Sequence, residues 1–215
     1  ANSGTTIRIV TAISALLDDE IVLTGDSSLK KRPMQPLLDA LGSLGAKCNS
    51  SAGKPPITVS GRIKGGKVTI SGNISSQFIS AMMIIAPKLE NGILLNIKGK
   101  LVSKPYVDAT IISMKKFGVN VRTEIPYKKY VIPSQNYKST AFTVPSDFSS
   151  LALLLSASVL VGENLTIEIS LGDMPQADEA IIDILEILGV IVTLDKNTIK
   201  IKSPKKTQWW KIRSK

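Results

Sequence analysis

The sequence contains no histidine, and this absence removes several classes of catalytic site. These 215 residues cannot form a Ser-His-Asp triad, a Cys-His pair or a histidine-based zinc site. Proton transfer would have to use Asp, Glu, Lys, Tyr or water. The single cysteine, Cys48, excludes an internal disulfide framework. We therefore expect a reducing, cytoplasmic environment, with Cys48 as a small residue on a strand.

Long apolar runs and aromatic residues are also scarce. No apolar run is long enough to span a bilayer, and the N-terminus, ANSGTTIRIV, lacks the basic region and apolar core of a signal peptide. We therefore expect no membrane partner. Aromatic residues make up 5% of the chain, and no aromatic-rich strand offers a stacking platform for bases, which argues against a nucleic-acid partner.

The charge balance is basic, with 27 basic and 17 acidic residues and a net charge of +10. Such a balance suits anionic partners, among them phosphorylated metabolites and nucleic acid. The paired lysines are scattered, at 30–31, 115–116, 128–129 and 205–206, as on a solubilising surface. Beside an enzyme, the charge leaves open a nucleic-acid-binding repeat module with salt-dependent affinity and a non-catalytic assembly partner.

Three segments of the chain resemble one another. Each has a small or hydroxylic start, a proline that opens a second helix, and a glycine between apolar residues near its end. The prolines are 72 and 70 residues apart and the glycines are 73 and 71 apart, so two landmarks give nearly the same period. The prolines are Pro33, Pro105 and Pro175, and the glycines are Gly45, Gly118 and Gly189.

Each repeat predicts the order β-α-β-α-β-β, and hence an α/β (α+β) fold with buried helices. The first helices, at 5–17, 76–86 and 149–161, are apolar nearly all round and should be buried on most faces. The second helices are amphipathic, with apolar faces at Leu37–Leu44 and at Ile111–Phe117. Proline suits the first turn of a helix, and the closing glycines suit a left-handed C-cap.

The stretch SGNISSQFISAMM places two hydroxyls and an amide, Ser75, Ser76 and Gln77, at the start of a buried helix. One serine is enough to cap the unpaired N–H groups there. Backbone N–H groups joined by two hydroxyls at the positive end of a helix also form a phosphate site. From this stretch alone, a plain cap and a ligand site remain equally open.

The chain resembles the 5-enolpyruvylshikimate-3-phosphate synthases, a family of enolpyruvyl transferases. Five motifs in the family's order carry the resemblance, and they extend with their flanks over nearly the whole chain to about residue 203. The element SSQF favours this family over the related UDP-N-acetylglucosamine enolpyruvyl transferases. The motifs are NSGTTIR, GDSSLKKRPMQPLLDAL, PPITVSG, SGNISSQFISAMM and SKPYVDATIISMKKFGV.

The resemblance implies an inside-out α/β barrel of two lobes, each with three repeats whose first helices point at the cleft between the lobes. It implies transfer of the enolpyruvyl group of phosphoenolpyruvate to the 5-hydroxyl of shikimate 3-phosphate, a step of the shikimate pathway towards chorismate and the aromatic amino acids. The family uses no metal or organic cofactor and is the target of glyphosate.

The resemblance also assigns binding residues one by one. Shikimate 3-phosphate would be held by residues at two helix starts, and phosphoenolpyruvate by a loop and an arginine whose fork matches a carboxylate or phosphate. The first set is Ser75, Ser76, Gln77, Ser103 and Tyr106, and the second is Asn2, Gly4, Thr5, Arg32 and Gln77.

Other roles remain open for some of these residues, and two further positions match the family without a binding role. Arg32 can be a solvated charge at a helix start, Tyr106 a packing residue and Asn2 an N-cap. We expect Arg8 to be structural, and we assign no chemistry to Asp147, which lies near the predicted hinge.

The chain departs from the family at both ends. We expect residues 1–141 to be two repeats of the first lobe, 142–203 to be the first repeat of the second lobe, and 204–215, which includes Trp209 and Trp210, to be a tail of unclear origin. Six repeats of about 72 residues would make about 430 in the whole enzyme. The family's catalytic carboxylates match nothing here, so we expect a fragment with no catalytic residue and no turnover alone. It would associate with itself or a complementary chain, because uncovered helices expose apolar surface.

Overall fold

The computed structural model describes residues 2–172 and 174–202, in two compact units, Ala1–Thr140 (unit 1) and Ala141–Lys215 (unit 2). Each unit has its own hydrophobic core. The predicted tail at 204–215 lies outside the described residues, and the assignment of the repeats to two lobes stays a prediction. In the part of the chain that the structure describes, no helix has the length and apolar character needed to cross a bilayer.

Unit 1 contains four helices and seven strands among its described residues, together with two short 3₁₀ turns. In chain order they are α1 Gly4–Ser14, β1 Ile21–Leu23, α2 Gln35–Ser43, β2 Lys47–Ser51, β3 Lys54–Ser60, β4 Gly66–Ser71, α3 Ser76–Ile85, β5 Ile93–Lys98, α4 Lys104–Lys116, β6 Arg122–Ile125 and β7 Lys129–Ile132. The described part of unit 2 contains α5 Phe148–Val161, β8 Leu165–Glu168, α6 Ala180–Ile187, β9 Ile191–Asp195 and β10 Thr198–Lys202.

The same sheet topology occurs three times. In each repeat the strand after the first helix pairs antiparallel with the last strand, which also pairs with the middle one. This gives the orders β1-β3-β2, β5-β7-β6 and β8-β10-β9, and the second repeat adds β4 parallel to β5. The predicted α/β class is confirmed. The full order β-α-β-α-β-β occurs at 66–132, whereas residues 133–147 form no strand, so α5 opens the third repeat directly.

The first helix of each repeat starts where the sequence predicts, within one residue. The N-cap residues are Ser3, Ser75 and Asp147, and they follow one another at 72-residue intervals. In all three, the side chain accepts a hydrogen bond from a backbone N–H of the first turn. The three repeats therefore share the position of their first helix as well as their strand order.

The predicted left-handed glycine caps are also confirmed. Gly45, Gly118 and Gly189 have φ of +106°, +80° and +80°. After each, the next residue's N–H donates to the carbonyl five residues earlier, as Val119 does to Met114 at 2.9 Å, which is the Schellman arrangement. The prolines are less regular: Pro105 lies in the first turn of α4, but Pro33 precedes α2 by two residues and Pro175 precedes α6 by five.

The second helices pack through the predicted apolar faces. In α2 the core positions are Leu37, Leu38 and Leu41, all buried, with Leu44 half-buried at the end of the helix. In α4, Met114 is buried, while Ile111 and Phe117 are half-buried. Cys48 lies on β2 as expected.

The prediction that all three first helices are buried on most faces holds only for α3. Helix α3 packs between α1 and α4, and eight of its ten residues are buried. Helix α5 instead buries one stripe, which includes Leu151 and Leu155, and leaves Leu153 75% exposed and Leu160 83% exposed. In α1, Val10 and Ile13 are partly exposed for the same reason: no second helix covers that side among the described residues of its unit.

The two glycines near the end of α2 give a matched test of the cap. Gly42 is inside the helix and Gly45 is the left-handed cap, and an added Cβ meets nothing within 4 Å at either position. Because alanine disfavours left-handed backbone and favours helix, Gly45→Ala should lower the free energy of unfolding by about 1–2 kcal/mol, and Gly42→Ala should raise it by about 0.5–1 kcal/mol. Urea unfolding followed by circular dichroism measures both, and changes of the same sign would contradict the cap.

Candidate functional site

The start of α3 is a capped helix terminus. Ser75 has an extended backbone, with φ of −162°, and its Oγ accepts from the Gln77 N–H at 3.2 Å. Ser76 is the first helical residue and is buried, while Ser75 and Gln77 are half-buried. The capping role of Ser75 is therefore present, and the question is what the neighbouring donors do.

A cavity of about 210 Å³ opens at this helix start. It lies where α3 and α4 both begin, so the positive ends of two helices border it. All five residues of the predicted shikimate 3-phosphate set line it, together with two aliphatic neighbours. The lining residues are Ile74, Ser75, Ser76, Gln77, Val102, Ser103 and Tyr106.

Ser103 has an unusual backbone for its position. It is the residue before α4, but it has left-handed dihedrals, φ 53° and ψ 52°, and its side chain makes no capping hydrogen bond. A non-glycine residue in this region costs about 1–2 kcal/mol, and such strain clusters at functional sites. The Ser103 hydroxyl therefore does not cap α4, and Ser103 lines the cavity.

Arg8 on α1 is hydrogen-bonded to the start of α3. Its Nη1 donates to Gln77 Oε1 at 2.6 Å and to Ser75 Oγ at 3.1 Å, and the guanidinium lies 4.7 Å from the centre of the Phe78 ring. The side chain is buried, and its Nε has no hydrogen-bond partner among the residues that the structure describes. Burial, and then the charge of Arg32, lower the pKa of Arg8. Since Gln77 turns its oxygen to Arg8, its amide N–H groups remain as donors.

Four of the five predicted phosphoenolpyruvate residues gather at the start of α1, whereas Gln77 lies in the first turn of α3. Arg32 follows the 3₁₀ turn Leu29–Lys31, and its side chain lies against the first turn of α1, where a Cβ on Gly4 would be 3.6 Å from Nη1. Asn2 and Thr5 are exposed at the same helix start. The alternative of Asn2 as N-cap is wrong, because Ser3 Oγ accepts the Thr6 N–H at 3.2 Å.

The two predicted sets lie at neighbouring helix starts and share Gln77, which is the one member of the phosphoenolpyruvate set that lines the cavity at Ser75. Helices α1 and α3 pack side by side, and Arg8 contacts Ser75 and Gln77 while the charge of Arg32 acts on it. Asn2, Gly4, Thr5 and Arg32 do not line the cavity at Ser75. The structure therefore brings both sets to one end of the helix pair, and the roles of the residues stay predictions.

Unit 2 shows a different chemistry at the equivalent helix start. Asp147 caps α5 by accepting from the N–H groups of Ser149 and Ser150, at 3.0 and 3.2 Å, and from the Ser150 hydroxyl at 2.6 Å. The hydroxyl of Ser149 donates to Asp178. These hydrogen bonds, chiefly the one from Ser150, lower the pKa of Asp147. A carboxylate already occupies the place where an anion would bind, so this terminus is not a second anion site.

Sequence reasoning missed the contact of Arg8 with the cavity residues. Its motif suggested a structural residue, and the structure adds that it orients Ser75 and Gln77. The available signal was position: Arg8 is the only charged residue in the helix GTTIRIVTAIS. A charge within an otherwise apolar buried helix needs hydrogen-bond partners nearby.

The chain is similar to proteins of one family over almost its whole length. The family model for EPSP synthase (3-phosphoshikimate 1-carboxyvinyltransferase) matches residues 1–213. The chain is 63% identical over 205 residues to the 3-phosphoshikimate 1-carboxyvinyltransferase of Nitrosopumilus maritimus (strain SCM1), which aligns 95% of this chain with 49% of that protein. With the protein of the same name from Methanosarcina mazei, the identity is 48% over 200 residues, 91% of this chain and 46% of that protein. The chain thus spans about half the length of these relatives.

Solved structures give the same picture of the fold. An EPSP synthase from Acinetobacter baumannii superposes with a TM-score of 0.69, covering 94% of this chain and 46% of that one. The sequence identity is 24%, so this likeness concerns the fold alone.

Replacing Arg8 by lysine tests its role at the start of α3. Both hydrogen bonds come from Nη1 while the flat guanidinium lies over the Phe78 ring. A lysine ammonium has no such flat group, so it cannot keep the two bonds and the ring contact together. Arg8→Lys should lower the free energy of unfolding by about 1.5–3 kcal/mol, the range for hydrogen bonds to charged groups. Denaturant unfolding measures the change, and Gln77→Ala should cost less in the Arg8→Lys background than in the original chain.

The matched control is Arg62→Lys. Arg62 is exposed, and its one ion pair, with Asp18, spans 3.8 Å, so its replacement should change stability by less than about 0.5 kcal/mol. Equal effects of the two substitutions would show that Arg8 does not hold the α3 start.

Proposed function

Because the chain belongs to the EPSP synthase family, we propose that it serves the transfer of the enolpyruvyl group from phosphoenolpyruvate to the 5-hydroxyl of shikimate 3-phosphate. In this reaction the hydroxyl oxygen forms a bond to C2 of phosphoenolpyruvate, and inorganic phosphate leaves. We assign to the described residues the binding and orientation of the two anionic substrates. No residue of this chain is assigned a proton transfer.

One observation carries the proposal: the cavity at the starts of α3 and α4 gathers three serines, one glutamine and one tyrosine. Hydroxyl and amide donors at helix N-termini suit a phosphoryl dianion. The cavity is smaller than the lower limit of about 300 Å³ for pockets that enclose drug-sized ligands. It therefore suits a phosphoryl group with part of a ring, and we assign it to shikimate 3-phosphate.

The start of α1 is the proposed phosphoenolpyruvate side. Arg32 lies against Gly4 there, and its guanidinium can hold a carboxylate or phosphate in two parallel hydrogen bonds. The resemblance assigns Gln77 to both sets, and this role suits a side chain whose oxygen is fixed by Arg8 and whose N–H groups remain as donors. The proposal thus places the two substrates at neighbouring helix termini, with the glutamine amide between them.

The comparisons give no support to the nucleic-acid-binding alternative. The family model that matches residues 1–213 is that of a carboxyvinyltransferase. The lining of the cavity includes a single aromatic residue, Tyr106, whereas single-stranded nucleic acid is held by successive stacked bases.

The free thiol bears on the compartment in which the chain works. Cys48 is half-buried on β2, and burial raises its pKa, so the thiol form predominates at neutral pH. An unpaired thiol of this kind supports a reducing environment. We keep the cytoplasm as part of the proposal.

Ligand-induced stabilisation tests the proposed function. Shikimate 3-phosphate should raise the melting temperature of the 215-residue chain, since a ligand present at 100 times its Kd adds about 2.7 kcal/mol. Ser76→Ala should raise the Kd about tenfold to a hundredfold, as expected for one lost hydrogen bond to a charged group. Titration calorimetry measures the Kd, with shikimate and inorganic phosphate as separate ligands.

The control is Ser43→Ala. It removes a hydroxyl that lies outside the cavity and donates to the Ala40 carbonyl at the C-terminal end of α2. Its Kd should equal that of the original chain. Absence of any stabilisation by shikimate 3-phosphate, or an equal loss in both variants, would refute the assignment of the cavity.

We also propose self-association through the exposed face of α5, which consists of Leu153, Leu154, Leu160 and Val161. The internal repeat supports this proposal. Leu154 and Val161 correspond, at the 72-residue interval, to Met82 and Leu89 of the second repeat, which are fully buried. Leu154 and Val161 thus occupy positions that are covered in the second repeat, and a second copy can supply such cover.

Sedimentation velocity of the chain and one variant tests this association. Leu153→Lys places a charge on the α5 face and should shift the population towards the monomer. Val144→Lys is the matched control, because Val144 is also 75% exposed in unit 2 but lies in an irregular segment. A monomeric original chain, or equal effects of both substitutions, would contradict the proposal.

A further inference from the structure

The turn between β6 and β7 contacts both ends of the loop that leads to Ser103. This turn contains Tyr127 and Lys128, and Tyr127 has a left-handed backbone, with φ of 57°. Lys128 donates from its ammonium to the Gly99 carbonyl, and its own carbonyl accepts from the Ile97 N–H at 2.7 Å. The start of the loop is therefore tied to the turn.

Tyr127 contacts the other end of the loop, at the first turns of α4. Its hydroxyl donates to Asp108 Oδ2 at 2.8 Å, and the ammonium of Lys104 lies 4.7 Å from the centre of its ring. Lys104 and Asp108 are four residues apart, so they lie on one face of α4. The backbone N–H of Tyr127 donates to the Tyr130 hydroxyl at 3.0 Å, which fixes Tyr127 from the hairpin side.

Ser103, next to Lys104, has two conformations available in principle. A serine before a helix ordinarily has an extended backbone and caps the helix with its hydroxyl, as Ser75 does for α3. Ser103 instead has the left-handed conformation without a capping bond. Relaxation to the ordinary cap would satisfy a helix N–H and would withdraw the hydroxyl from the cavity.

We propose that Tyr127, through Lys104 and Asp108, is a positioning residue that holds Ser103 in its left-handed conformation and so keeps its hydroxyl at the cavity. The contacts carry this inference, because they fix the residues on both sides of Ser103: Gly99 before it, and Lys104 and Asp108 after it. Val102 adds a bond from its N–H to the Gly72 carbonyl at 3.1 Å, which ties the loop to the turn before α3. The role in ligand binding rests on the function proposed above, whereas the conformation of Ser103 does not.

Tyr127→Phe in the 215-residue chain is the direct test. It removes the bond to Asp108 and keeps the ring under Lys104. We expect the backbone chemical shifts of Ser103 to move from left-handed towards extended values, and the Kd for shikimate 3-phosphate to rise about fivefold. In a Ser103→Ala background, Tyr127→Phe should leave the Kd unchanged, because the hydroxyl that it positions is already absent.

Tyr137→Phe is the control for a purely structural effect. Tyr137 also donates its hydroxyl once, to the Ile84 carbonyl at 2.8 Å, at the far end of α3. Its loss should change stability but neither the Ser103 shifts nor the Kd. Unchanged Ser103 shifts in Tyr127→Phe would overturn the positioning role, as would an equal rise of the Kd in both tyrosine variants. If the original chain fails to bind shikimate 3-phosphate, the proposed function fails, and the Ser103 shifts still decide the inference.

Discussion

The candidate site depends on the hydrogen bonds that one buried guanidinium makes between two helices. Arg8 extends from α1 to the start of α3, where it donates to Ser75 and Gln77. A buried charge needs hydrogen-bond partners, and Nη1 of Arg8 finds two of them at the start of α3. The packing of the two helices and the orientation of the cavity donors therefore depend on each other. The Phe78 ring beneath the guanidinium limits its position further. Packing of α1 against α3 thus sets the direction of the Gln77 amide.

The 72-residue repeat supplies a common scaffold on which the chemistry differs. Three helix starts have the same capping position, occupied by Ser3, Ser75 and Asp147. A serine cap satisfies one N–H and adds no charge, so the terminus stays attractive to an anion. An aspartate cap satisfies two N–H groups and places its own charge there. One substitution at an equivalent position therefore decides whether a terminus attracts or repels a phosphate.

The sequence predicted those parts of the structure that local rules determine. Helix starts follow from hydroxylic caps before apolar runs, helix ends follow from Gly45, Gly118 and Gly189, and the equal spacing indicates that one order of helices and strands recurs. The prediction that α5 is buried on most faces was wrong. An apolar composition indicates that a helix face favours burial, but it does not indicate which element packs against that face. The resemblance predicted the five polar residues of the cavity, and the structure shows that they lie close together. The position of Arg8, the only charged residue of an apolar helix, indicated that it needs partners but not which ones, because Ser75 and Gln77 lie 67 and 69 residues away. The left-handed Ser103 had no local signal, since we assign its conformation to contacts with a hairpin.

The charges near the cavity hold its donors in place and do not line it. The seven lining residues are uncharged, whereas Arg8 is hydrogen-bonded to Ser75 and Gln77, and Lys104 lies over Tyr127. A cation in direct contact attracts any anion, but a set of fixed hydroxyl and amide donors selects by shape and by the number of oxygen atoms. Neutral donors at two helix termini still receive the attraction of the two dipoles. Selectivity for one phosphorylated ring over other anions then requires that each donor keep its direction, which is the condition that the buried arginine satisfies for α3 and that we assign to Tyr127 for α4.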